Sequence, residues 1–257
     1  MKKLTIVTAL LSSLAFVGTT AHAYQTEVNG NYNYLDPDNG SGVSTFGASG
    51  TYYFNPVQTR NAPLAEAAFL DRASNVSVGG VYGDNSGTKN TSIGIAGEYY
   101  VPNSDFYLGA GVAREENKIK NLNDTKTTRY NAEVGYLPAP GLLVALGLQG
   151  YDTKNGGDDV DPTLRAKYVT QVGQHDVNLE ARGVFGNNDN KQYYVAGDYY
   201  IDKTLSVGAD YQRDKALNLD QWGITAKKFL SQQVSVDGRL GFGDDYNTYS
   251  VGASYRF

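Results

Sequence analysis

The last nine residues show the pattern that governs the chain. In Tyr249-Ser250-Val251-Gly252-Ala253-Ser254-Tyr255-Arg256-Phe257, one parity reads Tyr, Val, Ala, Tyr, Phe and the other Ser, Gly, Ser, Arg. Successive side chains of a strand point to opposite faces, so such a segment has one apolar and one polar face. The alternation recurs upstream. Leu205, Val207, Ala209 and Tyr211 oppose Ser206, Gly208, Asp210 and Gln212, and Tyr130, Ala132, Val134 and Tyr136 oppose Arg129, Asn131, Glu133 and Gly135. No stretch after the N-terminal region sustains the 3.6-residue apolar stripe of a helix.

Turn-forming clusters interrupt these runs, among them Asp36–Ser41, Asp84–Gly87, Pro138–Gly141, Asn155–Asp158 and Gly243–Asp245. Gly and Asn tolerate positive φ there, and Pro presets a bend. Strands are expected near 24–35, 42–54, 74–83, 90–101, 105–117, 125–137, 142–152, 162–172, 175–186, 190–201, 204–213, 220–230, 233–243 and 246–257. Each is long enough to cross a bilayer, which takes about 9–11 residues of tilted strand. The expected fold is all-β: a transmembrane antiparallel up-and-down β-barrel of about 14 strands, with 12 or 16 possible if a run has been split or merged. An even number suits a single-chain bacterial barrel.

Composition removes most other classes. The chain has no Cys, so thiol enzymes, disulfide scaffolds and zinc–cysteine sites are excluded. Its net charge of −5 argues against nucleic acid as a partner. Twenty-one Tyr and nine Phe are too much aromatic surface for a disordered chain.

The N-terminus reads as an export signal. Met1-Lys2-Lys3 is cationic, Leu4–Val17 is a short apolar run, and Ala21-His22-Ala23 is a small-residue cleavage site. The domain division is thus 1–23 signal peptide and 24–257 barrel. Its removal leaves His175 as the only histidine.

Several strands finish in adjacent aromatics: Tyr52-Tyr53-Phe54, Tyr99-Tyr100, Tyr199-Tyr200 and Tyr255-Arg256-Phe257. In an up-and-down barrel all of these reach one rim, where Tyr52, Phe54, Tyr99, Tyr136 and Tyr199 are expected to form an aromatic girdle at headgroup depth. Alternation alone does not say which face is outside, since a soluble sandwich would bury its apolar parity. The signal, the strand count, the rim of Tyr and the terminal Phe together favour the bacterial outer membrane.

Tyr24–Val28, Pro63–Leu70 with Ala73–Val78, and the terminal Tyr255-Arg256-Phe257 resemble the porin family of Gram-negative outer-membrane β-barrel proteins. The similarity extends over essentially the whole chain after the signal. It implies a monomeric integral outer-membrane barrel passing water and small solutes. It also implies that Phe257, with Tyr255 two residues earlier, is the signal read by the barrel-assembly machinery during biogenesis. Outer-membrane lipid and lipopolysaccharide would be its surroundings.

In such a barrel the polar parity lines the lumen. Expected lumen-lining acids are Glu27, Glu98, Glu133, Glu180, Asp198, Asp210 and Asp237; the bases are Arg129, Arg165, Lys167, Arg182, Lys227, Arg239 and Arg256. The equal numbers predict weak charge selectivity or a lumen knitted by ion pairs, because a selective pore carries a ring of one sign. The long segment Asn55–Ala73 is placed at the periplasmic side. Within it, Pro63, Leu64, Phe69 and Leu70 belong to an apolar stretch that reads as a helical turn, an early start to the third strand, or a partial plug.

No catalytic, metal or cofactor site is expected. His175, in the turn Gly173–Asp176, is the sole candidate base and lies at the periplasmic rim, and no Gly-x-Ser-x-Gly elbow exists. One His cannot build an imidazole metal site. The run Asn155–Asp161 lacks the Glu that completes a Ca²⁺ loop and reads as a solvated acidic loop, as do Glu115-Glu116 and Asp244-Asp245. These acids could also meet divalent cations bridging lipopolysaccharide phosphates. The expected function is a porin-like channel for passive diffusion of water and small polar solutes. The alternative is a closed or nearly closed barrel with a structural, adhesion or host-interaction role.

Overall fold

The computed structural model describes residues 23–85, 87–119, 124–187 and 190–257. The expected signal segment up to residue 22 lies outside the described residues. The strands are β1 (Ala23–Pro37), β2 (Val43–Gln58), β3 (Asn75–Asn85), β4 (Thr88–Tyr100), β5 (Phe106–Ile119), β6 (Thr125–Ala139), β7 (Leu142–Thr153), β8 (Asp158–Val172), β9 (His175–Phe185), β10 (Lys191–Asp202), β11 (Leu205–Asp214), β12 (Leu219–Phe229), β13 (Val234–Gly243) and β14 (Tyr246–Arg256). Between β2 and β3 lie a 3₁₀ turn (Leu64–Glu66) and a one-turn helix, α1 (Ala67–Leu70).

Every strand pairs antiparallel with its predecessor, and β14 returns to β1 to close the barrel. The seam runs in register from Glu27↔Arg256 to Pro37↔Tyr246. Closure leaves no edge of unpaired N–H and C=O groups, which is the condition for a sheet in hydrocarbon. The fourteen-strand expectation stands.

The two parities separate as alternation requires. Ile93, Leu146, Val251 and Trp222 are each about 60% exposed on the outer wall. An apolar band of that extent would be an aggregation surface in water and is the lipid-facing surface of a membrane barrel. Tyr52, Phe54, Tyr99, Tyr136 and Tyr199 also face outward and are exposed, at the rim carrying both ends of the described chain. This is the terminal rim; the opposite one is the far rim.

Two strands run four residues beyond an expected end. β2 continues through Pro56 to Gln58, where Val57 pairs with Tyr24. β8 begins at Asp158, inside the run taken for an acidic loop. Its first residues pair with β7, Leu148 facing Pro162, whereas pairing with β9 begins only at Thr163. Pro162 therefore sits on a stretch bonded on one side only, the position a strand proline tolerates.

Candidate functional site

Two clusters of buried apolar residues lie inside the barrel at its terminal rim. Tyr24, Tyr53, Val57 and Ala67 make one; Tyr100, Tyr107, Leu137 and Leu143, with Phe69 against them, make the other. A register shift in β1 between Tyr24 and Thr26 accompanies the first. Strict alternation places the remaining aromatics. Tyr52, Tyr99 and Tyr199 point out, so Tyr53, Tyr100 and Tyr200 must point in, and all three are buried. One member of each tyrosine doublet, Tyr52, Tyr99 or Tyr199, therefore faces outward with Phe54 and Tyr136, and the other turns into the barrel.

What these inward rings hold is the 59–74 connector, which folds back across the mouth. Pro63 and Leu64 are buried, and Phe69 and Leu70 half-buried. The Leu64 N–H donates to the Lys203 carbonyl at 2.8 Å, and its own carbonyl accepts from Arg256 Nη1 at 2.9 Å. Glu66 accepts from the Tyr200 hydroxyl at 2.7 Å and lies 2.8 Å from Lys167 Nζ. Burying a carboxylate is costly unless it is paired and hydrogen-bonded, and Glu66 has both kinds of partner. Leu70 reaches Gly141, whose φ of +74° makes the tight β6–β7 turn; a Cβ there would lie 2.2 Å from the Val169 carbonyl oxygen. At the outer end of the connector, Asp71 accepts from the Gln58 N–H and pairs with Arg60, and Arg72 pairs with Asp105. The segment is thus fastened to strands on opposite sides of the ring.

Above it the lumen is crossed by ion pairs. Arg165 contacts Glu133 at 3.0 Å, Glu180 at 3.4 Å and Glu98 at 3.9 Å, carboxylates from three other strands. The Tyr107 hydroxyl lies 2.9 Å from Glu98 and 3.0 Å from Glu133. Arg239 grips Asp210 with two nitrogens at 3.0 and 2.7 Å. Arg256 pairs with Glu27 at 2.6 Å, its guanidinium lying over the Tyr24 and Phe229 rings. Lys227 stands 4.0 Å from Asp237, and Asp198 accepts from Asn178. Nearer the far rim, Arg129 pairs with Glu115 and Arg182 donates to Gln149 at 3.0 Å.

Glu115 therefore does not sit in a solvated loop. It belongs to the inward parity of β5, while its neighbour Glu116 turns outward to Lys126. Asp161 likewise points inward and accepts from Asn190. Sequence reasoning missed Glu66 altogether; the available signal was a single carboxylate within the apolar stretch Pro63–Leu70. His175 Nδ1 lies 3.1 Å from the Tyr200 carbonyl oxygen, and its ring lies against Tyr199. Among the described residues no group of three or more His, Cys, Asp or Glu could hold a metal ion.

Between the ion pairs and the far rim lies a cavity of about 750 Å³. One wall is built from small residues, including Gly47, Ser49, Gly79, Gly94 and Gly111; the facing wall carries Arg129, Asn131, Gln149, Arg182 and Gln192. The open volume is off-centre because the bulk comes from one side. Such a lumen offers hydrogen-bonding groups and fixed charges.

A closed antiparallel barrel, apolar outside and charged within, defines the class of bacterial outer-membrane β-barrel proteins. The chain belongs to a porin family: the family model described as "Putative general bacterial porin" matches residues 1–161. It is 32% identical to the Acinetobacter baumannii outer membrane protein Omp33, whose crystal structure it matches over 93% of this chain and 100% of that one, with a TM-score of 0.73. It also shares its fold with the CymD monoaromatic hydrocarbon channel, at 10% identity, covering 91% of this chain and 89% of that one, with a TM-score of 0.57. Among proteins of curated function none matches the chain.

Proposed function

We propose that the protein is a monomeric, integral outer-membrane channel for water and small polar solutes, entered from the far rim at the cell surface and narrowed at the periplasmic mouth by the 59–74 connector. The observation that carries this reading is the cavity of about 750 Å³ inside the barrel, into which Arg129, Asn131, Gln149, Arg182 and Gln192 bring polar groups. Its asymmetric lining, small residues against Arg and amides, suits hydrated polar solutes. Weak charge selectivity follows from the pairing of the lumen charges, since a neutralised charge offers little net field to a passing ion.

The orientation rests on export: the start of the barrel remains in the periplasm, and β14 ends beside it. In this reading Tyr255 and Phe257 present the signal for the barrel-assembly machinery. Their rings lie 4.6 Å apart, tilted at 60°, and the Phe257 carbonyl accepts from the Gln25 N–H at 2.7 Å, so the terminal residue extends the closing ladder.

The competing reading, a closed barrel with a structural or surface role, draws its support from the connector's fastening around the ring. Liposome swelling with small neutral sugars separates the two. A channel gives swelling that rises when residues 59–70 are replaced by a short Gly/Ser linker. No swelling from either protein, with both heat-modifiable on gels, rejects the channel.

A further inference from the structure

Among the described residues, the outer wall carries two lysine–lysine cross-strand pairs near the far rim. On β4 and β5, Lys89 faces Lys118 in register. On β10 and β11, the Lys215 N–H donates to the Lys191 carbonyl at 2.9 Å, one step beyond the Gln192↔Asp214 pair. Like charges placed directly opposite on a sheet destabilise it. The first pair is compensated from within: Lys89 lies 3.6 Å from Asp84, and Lys118 lies 3.4 Å from Glu116 and 3.9 Å from Asp124. The second is not. Among the described residues, no carboxylate lies within 4.0 Å of either Lys191 or Lys215. The nearby outward acid, Asp220, is already engaged on both oxygens by Arg213 and the Tyr211 hydroxyl, each at 2.8 Å.

Below these cations lies an aromatic surface. Lys215 Nζ stands 5.9 Å from the Tyr193 ring, Tyr193 packs edge-on to Phe185, and Tyr211 lies 4.6 Å from Trp222, which is 63% exposed. Exposed rings of this kind lie at the membrane interface, which sets the two lysines above them at headgroup depth. A ligand satisfying both layers needs an acyl portion and a phosphate.

We propose that Lys191 and Lys215, over Tyr193 and Trp222, form a docking site on the outside of the barrel for the phosphate of an outer-leaflet glycolipid. The site rests on the far rim being the cell-surface rim. It does not depend on conductance, and a barrel that passes no solute would show it equally.

Trp222 is the only tryptophan of the chain, so its fluorescence reports on this site alone. The full barrel, in phosphatidylcholine nanodiscs, is titrated with bisphosphorylated lipid A, with dephosphorylated lipid A and with inorganic phosphate. The expected result is a saturable change in Trp222 emission with the phosphorylated lipid only. Lys191→Gln with Lys215→Gln should raise the half-saturation point about tenfold or more, given the typical attraction of a basic residue to an anionic surface; Lys89→Gln with Lys118→Gln should leave it in place. Should the double variant fail to give a heat-modifiable barrel, Lys215→Gln alone should shift the point about threefold or more. Equal response to the dephosphorylated lipid, saturation by inorganic phosphate, or indifference to the Lys191 and Lys215 substitutions would overturn the site.

Discussion

The Arg256 guanidinium donates to Glu27 at 2.6 Å, joining residues 229 positions apart in the chain. The same guanidinium donates to the Leu64 carbonyl and is flanked by the Tyr24 and Phe229 rings. One side chain therefore ties the barrel seam to the connector that crosses its mouth. Removing one partner of a buried ion pair costs about 3–5 kcal/mol, because the other charge is left unpaired. Arg256→Ala should lower the temperature at which the barrel loses its compact gel mobility. Arg256→Lys should fall between the two, since a point charge keeps the attraction to Glu27 but loses the planar fork and much of the stacking. Equal stability of Ala and Lys variants would mean that packing, and not charge, sets this contact.

Glu66 anchors the middle of the connector. Tyr200→Phe removes one hydrogen bond to its carboxylate, a loss of about 1.5–3 kcal/mol for a charged acceptor, without touching the barrel wall. Solute flux in liposomes should rise severalfold, with little change in the thermal transition of the barrel. Lys167→Met should act in the same direction. Unchanged flux in both variants would show that the connector does not limit passage.

Arg165 balances three carboxylates. Arg165→Met leaves Glu98, Glu133 and Glu180 facing one another without a cation, which should destabilise the barrel by about 3–5 kcal/mol and turn a weakly selective lumen toward cations. Reversal potentials across a salt gradient read the second effect directly. A variant as unselective as the parent would place the permeation route away from this cluster.

The cavity is bounded on one side by residues with almost no side chain. Ser49→Trp would project an indole into that space. Flux of larger sugars should fall several times more than flux of the smallest solutes. Ile93→Trp, on the outer face, is the matched control and should leave both unchanged.

Strand number and the division into two faces were legible because a period of two follows from strand geometry and needs no knowledge of the environment. The five outward aromatics, and the lumen parity that carries Arg165, Asp210 and Arg239, come from the same rule. The errors arose where neighbours were read as units. Glu115-Glu116 looks like one acidic patch in the sequence, yet the strand sends its two members to opposite sides. Asn155–Asp161 reads as loop because Asn, Gly and acids cluster there, whereas β8 begins at Asp158 and its side unpaired with β9 accommodates the acids. The seating of the connector was out of reach: its partners Lys167, Tyr200, Lys203 and Arg256 are distant in sequence, and a short segment without alternation carries no mark of what it packs against.

The tyrosine doublets also fix where the molecule can change length. Inserting one residue within β2, β4 or β10 would exchange the roles of Tyr52 and Tyr53, of Tyr99 and Tyr100, or of Tyr199 and Tyr200. The ring meant for the interface would then crowd the connector, and the ring meant for the connector would hang in lipid. Tags, epitopes and natural insertions thus belong in the turns of the far rim, while the strands leading to the terminal rim tolerate no frameshift of even a single position.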